Sequence, residues 1–143
     1  MNYNGEKHDD KLTAFVKDES VENTVEFILF RLGFKSNLRG TRYLKEAIVA
    51  KYTTQVDSLC KHLYPQIAAK YGTKGERVER SIRHAINEWH AAGNLVRANE
   101  MLGWQMISNY PPTNSEFISL ICTWLRLEKT YADSASKKSQ SII

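Results

Sequence analysis

The stretch RVERSIRHAINEWHAAG, residues 77–93, restricts the folding class more tightly than any other part of this chain. Its apolar side chains fall at Val78, Ile82, Ala85, Ile86 and Trp89. Intervals of three and four gather them on one side of an α-helix and would scatter them over both faces of a strand. At about 100° per residue, with Val78 at zero, Ile82, Ala85 and Trp89 lie within roughly 40° and Ile86 within about 80°. Glu76, Arg80, Arg83, His84 and Asn87 cluster on the far side, with Arg77 and Glu79 on the flanks. One face is built for a core and the other is broadly cationic.

The same periodicity recurs along the chain. Val21, Val25, Ile28, Leu29 and Leu32 share a helical face, with Ser20 placed to cap the start and Gly33 to end it. After a loop, TRYLKEAIVAKY aligns Tyr43, Leu44, Ala47, Ile48 and Tyr52. QVDSLCKHL, residues 55–63, reads as a short helix, and Pro65 suits the first turn of the next, YPQIAAKYG. NLVRANEMLG reads as a brief helix and WQMISNYPP as an irregular or hairpin-like connection. Last comes TNSEFISLICTWLRLEK, opened by a Thr113–Glu116 capping box and buried along Phe117, Leu120, Ile121, Trp124 and Leu125. No repeat, glycine-rich phosphate loop or strand series accompanies these helices. The expectation is an all-α single domain of six to seven helices containing a helix-turn-helix. It would span residues 20–130, between a flexible arm (1–19) and a polar, disordered tail (131–143).

Composition excludes several classes of function. A chain of 143 residues can bury a core without disulfides or metal. Its net charge of +4 is too mild to argue for nucleic acid alone, so the placement of charge matters more than the total. Cys60 and Cys122 stand far apart among apolar neighbours, which suggests reduced, buried thiols, and no Cys/His cluster suggests zinc. The opening MNYNGEKHDDKLTAF has no apolar h-region, so a signal peptide is not expected, and no apolar run nears the ~18 residues of a membrane span. A cytoplasmic, nucleoid-associated protein without cofactor or metal is expected. His84 and His90 lack a nucleophile or acid partner at a useful spacing, so an enzyme is not expected.

The informative unit is PQIAAKYGTKGERVERSIRHAINEWH. Ala68 supplies a small residue where two helices cross, Gly72 a residue for the sharp turn, and Ile67 and Tyr71 flank them as core contacts. Two readings fit the helix that follows. Glu76–Arg80 and Glu79–Arg83 are i,i+4 pairs in the favourable order, each stabilising a helix by about 0.2–0.5 kcal/mol, as a merely solvated face would. Alternatively, arginine, asparagine and carboxylate side chains are the types that read base edges in a major groove.

RVERSIRHAINEWHAAGN followed by PTNSEFISLICTWLRLEK, with GTRYLKEAI and LYPQIAAKYGTKGERVER upstream, resembles the C-terminal effector domain of the stage zero sporulation protein A family. The resemblance covers roughly residues 20 to 130 in several stretches in the right order. It implies a DNA-binding transcription regulator whose helix over 75–91 enters the major groove of a short box related to TGTCGAA. It implies base contacts from Arg77, Glu79 and Arg80, and phosphate contacts from Lys74, Arg83 and His84. Asn114 and Ser115, at a helix N-terminus, would support a further phosphate. The family's members carry a phosphoacceptor receiver domain. No strand series or acidic phosphorylation pocket appears among these residues, so DNA binding independent of phosphorylation is expected.

A second class of function stays open. GNLVRANEMLGWQMISNY corresponds to the family region associated with the sigma subunit of RNA polymerase. Exposed Leu95, Met101 and Trp104 would favour a protein-interaction module acting on sigma or on a full-length relative. Packing of the same side chains into the core would not. In solution a monomer is expected, binding side by side on tandem DNA sites.

Overall fold

The computed structural model describes residues 20–54, 58–104 and 110–141, with side chains left out of the description at 59–60 and 135–141. The expected arm (1–19), residues 55–57 of the short third helix, the Cys60 thiol and most of the connection after Trp104 lie outside the described residues. Six α-helices are present among the described residues: α1 (Val21–Leu32), α2 (Arg39–Thr54), α3 (Tyr64–Tyr71), α4 (Gly75–Ala91), α5 (Leu95–Leu102) and α6 (Asn114–Ser141). No strand occurs among them, as the periodicity requires.

Local chemistry sets the helix ends. The Ser20 hydroxyl accepts from the Asn23 amide at 3.2 Å. Gly33 takes a left-handed conformation (φ 104°) and returns its amide to Leu29 and Phe30. Thr113 and Glu116 close the expected capping box: the Thr113 amide donates to Oε1 of Glu116 at 2.9 Å, and the Glu116 amide to Oγ1 of Thr113 at 3.1 Å.

Val25, Ile28, Leu32, Leu44, Ile48, Val78, Ile82, Ile86, Phe117, Ile118 and Ile121 form the centre of the core, each fully buried. Burying such a side chain contributes about 1.5–3 kcal/mol. α2 crosses the middle of the molecule and packs on α1, α4 and α6. An aromatic cluster closes one end, with Phe34 stacked on Trp89 at 5.1 Å and Phe117 edge-on to Trp89 at 5.3 Å. The Trp89 indole also donates to the Leu32 carbonyl at 2.9 Å. That bond satisfies one of the orphan carbonyls at the end of α1 and pins α4 to it. Cys122 is a buried, free thiol; burial pushes its pKa up, against the nearby charges of Arg126 and Lys51.

The fold departs from expectation at four places. A π-helical turn, Leu59–Leu63, runs directly into α3, where a separate helix was expected. Pro65 lies in the first turn of α3, and because helical backbone already runs through Leu63, its missing N–H falls where the π-helical turn gives way to the α-helix. α2 begins at Arg39, earlier than its apolar stripe suggests. Tyr71 is 37% exposed and sits at the core's edge: its ring meets buried Tyr43 edge-on at 5.3 Å, and its hydroxyl donates to Oε2 of Glu46 at 2.6 Å. Finally, α6 continues to Ser141, through the residues expected to form a disordered tail. Residues 131–141 contain no glycine or proline to stop it, and Ala132 is still buried.

Candidate nucleic-acid interface

α3 and α4 form the helix-turn-helix. Ala68 is buried, and Gly72 turns the chain in a left-handed conformation (φ 66°, ψ 37°) with its amide returned to the Ala68 carbonyl. A Cβ at Gly72 would meet nothing within 4 Å, so backbone conformation and not space selects glycine here. Lys74 then enters α4 in an extended conformation and makes no side-chain cap.

α4 divides as its sequence implies. Val78, Ile82, Ala85, Ile86 and Trp89 are buried, while Lys74, Arg77, Arg80, Arg83, His84 and Asn87 are exposed and Glu79 is intermediate. Of the two expected i,i+4 pairs, Arg83–Glu79 closes at 3.5 Å. Glu76 and Arg80 form no ion pair among the described residues, which leaves Arg80 near the centre of the exposed face with its guanidinium uncommitted. His84 lies 3.7 Å from Glu88.

The N-terminus of α6 flanks α4 on the Glu79–Arg83 side. A cavity of about 620 Å³ lies between them, lined by Ser58, Tyr64, Glu79, Arg83, Asn87 and residues 111–115. Asn114 was expected to support a phosphate, but it is 8% exposed. Its amide nitrogen donates to the Glu79 carbonyl and to the Tyr64 hydroxyl, each at 3.1 Å. Both amide hydrogens are thereby committed inside the protein. Asn114 is a brace between α6, α3 and α4, and its buried Oδ1 has no partner. Ser115 is exposed and opens into the same cleft as Arg83. His84 lies on the opposite flank of α4 and Lys74 at its start, so the expected phosphate set does not converge on one point.

Leu95, Met101 and Trp104 are partly buried and pack against the core, and the Trp104 ring meets Phe117 edge-on at 5.9 Å. Val96, at 65% exposure, is the apolar side chain that α5 presents to solvent.

The sequence reading missed Gly40. In the first turn of α2, Gly40 is buried against the Ser81 carbonyl of α4, where a Cβ would overlap that oxygen and lie 2.9 Å from the Ala85 methyl. The glycine itself, in the opening turn of an otherwise side-chain-rich helix, was the available signal.

A family model described as "Sporulation initiation factor Spo0A C terminal" matches residues 25–125, from α1 into α6. The chain belongs to that family. Spo0A C-terminal domains are DNA-binding effector domains of sporulation transcription regulation, and this chain is one of them. The match includes the whole helix-turn-helix, the Gly40–Ser81 crossing and the Asn114 brace. Among the described residues, no helix is long and apolar enough to cross a membrane.

Proposed function

We propose that this Spo0A C-terminal domain is a sequence-specific transcription regulator that reads a short box resembling TGTCGAA through α4 in the major groove, without phosphorylation. The observation that carries the reading is the contrast across α4. Its inner stripe is buried, while Arg77, Arg80, Arg83 and His84 project into solvent from a helix packed on α2, α3 and α6. Arg77, Glu79 and Arg80 are assigned to base edges, where a bidentate arginine discriminates guanine by about 1–3 kcal/mol. Arg83, Lys74, His84 and Ser115 are assigned to phosphates; Asn114 positions α4. Contact with the sigma subunit is a secondary reading, favoured only by exposed Val96 on α5.

Fluorescence anisotropy with a duplex bearing the box, and with a scrambled duplex, at two salt concentrations tests this. Preference for the box, unchanged by acetyl phosphate, is expected. Equal binding to both duplexes contradicts sequence reading, and tighter binding after acetyl phosphate contradicts independence from phosphorylation.

A further inference from the structure

A helix about 10–12 Å across fills a major groove about 12 Å wide, so a phosphate backbone passes along each side of it. On one side of α4 the N-terminus of α6 and Arg83 border a cleft. The other side is fixed by the Gly40 crossing. Ser81 lies about 60° from Val78 on the α4 wheel, in the opposite sense to Glu79. The contact of Gly40 with its carbonyl anchors the first turn of α2, and the α1–α2 turn before it, along that edge. The same turn borders a cavity of about 300 Å³ beside the C-terminal half of α4, lined in part by Lys35, Leu38, Ala85, Glu88, Ala92 and Asn94.

Two cations project from this turn. Lys35 and Arg39 are exposed, and neither makes a side-chain ion pair or hydrogen bond among the described residues. The neighbouring acid, Glu88, lies beside His84 instead. On the same edge α4 shows Arg77 and His84. The turn therefore adds positive charge, without an acidic partner among the described residues, to the side of the reading helix that α6 does not reach.

We propose that Lys35 and Arg39 are a second phosphate clamp, gripping the DNA strand on the flank of α4 away from α6. The inference rests on the reading of α4 as the groove helix. The two flanks then straddle the major groove, one strand meeting Arg83 and Ser115 and the other meeting the α1–α2 turn. Gly40 matters to this arrangement because no other residue lets the turn approach α4 so closely.

The test is anisotropy across a salt series on the full chain, comparing a Lys35→Gln/Arg39→Gln double variant with Lys51→Gln, at the other end of α2, and with Arg80→Ala. The double variant should lower the slope of log K against log salt by about two, weaken box and random DNA by similar factors, and melt like the parent. Lys51→Gln should leave the slope at its parental value. Ethylation interference should show one strand's phosphate cluster lost in the double variant alone. A parental slope and affinity in the double variant, with box preference lost in Arg80→Ala, overturns the clamp and leaves the groove helix standing. No change in either variant means the reading of α4 has failed as well. Weaker binding with an unaltered slope, or an equal effect from Lys51→Gln, also overturns the clamp, because the turn would then act through the fold or through net charge.

Discussion

Gly40 of α2 and Ser81 of α4 meet backbone to backbone, with no room for a side chain at the glycine. A backbone carbonyl cannot swing aside as the end of a flexible side chain can, so any Cβ at position 40 must push the two helices apart.

Gly40→Ala should therefore destabilise the domain by about 1–3 kcal/mol, as other overpacked cores are destabilised. It should also weaken DNA binding by displacing α4. Gly75→Ala is the control: a Cβ there meets its nearest atom at 3.5 Å, an ordinary contact, and alanine favours the helix by up to about 1 kcal/mol. Denaturant unfolding of both variants checks this; equal stability in the two would mean that the crossing is not tight.

Acid should loosen the attachment of α3 to α2. Partial burial alone would raise the Glu46 pKa, but hydrogen bonds from Lys70 (2.7 Å) and Tyr71 and the charges of Lys70 and Lys45 outweigh it, so the pKa lies below its ordinary value. A carboxylate with a depressed folded-state pKa contributes stability that is present above its unfolded value and lost as pH falls through the folded one. The melting temperature should fall below pH about 4.5, and Glu46→Gln should flatten that fall while lowering stability at neutral pH. An identical acid profile in Glu46→Gln would rule the network out as a contributor. Glu116, held down by its backbone and side-chain bonds with Thr113, titrates in the same direction, so only the difference between parent and variant is informative.

Asn114 and Arg83 should separate positioning from phosphate contact. Asn114→Ala removes the bonds its amide gives to the Tyr64 hydroxyl and the Glu79 carbonyl, and should cost about 1–3 kcal/mol of stability while leaving the salt slope of DNA binding intact. A reduced slope with unchanged stability would return Asn114 to the phosphate set.

The legible part of this molecule was the part governed by periodicity and local chemistry. The α4 stripe, the Ser20 and Gly33 caps and the Thr113–Glu116 box follow from residues three or four apart, and each formed where the spacing placed it. The illegible part depends on elements distant in sequence. Nothing near Asn114 says that Glu79 and Tyr64 will take its amide, and nothing near Gly40 names Ser81. Trp104 and Leu95 could have faced solvent or the core as far as their own neighbours in sequence say; the packing of α5 and the Trp104–Phe117 contact decided it. Of the candidate interface, the exposed arginines were readable, and the braces that hold them were not.

Tandem boxes should bind better than one. A single recognition helix reads few base pairs, and paired sites supply the remaining specificity. Sedimentation should give a monomer without DNA and two copies on a duplex with adjacent boxes. A stable dimer in free solution would contradict this.

The central claim, that α4 is a reading head and not a solvated face, is tested most directly by Arg80→Ala against Arg83→Ala in anisotropy on box and random duplexes. Both side chains lie outside the buried stripe, so both variants should melt near the parent; losing the Arg83–Glu79 pair costs only about 0.2–0.5 kcal/mol. Arg80→Ala should lose about 1–3 kcal/mol on the box and much less on random DNA. Arg83→Ala should weaken both duplexes by similar factors and lower the salt slope by about one. If both variants fold normally and bind the box as tightly as the parent, the cationic face of α4 is solvated surface and the account of this helix is wrong.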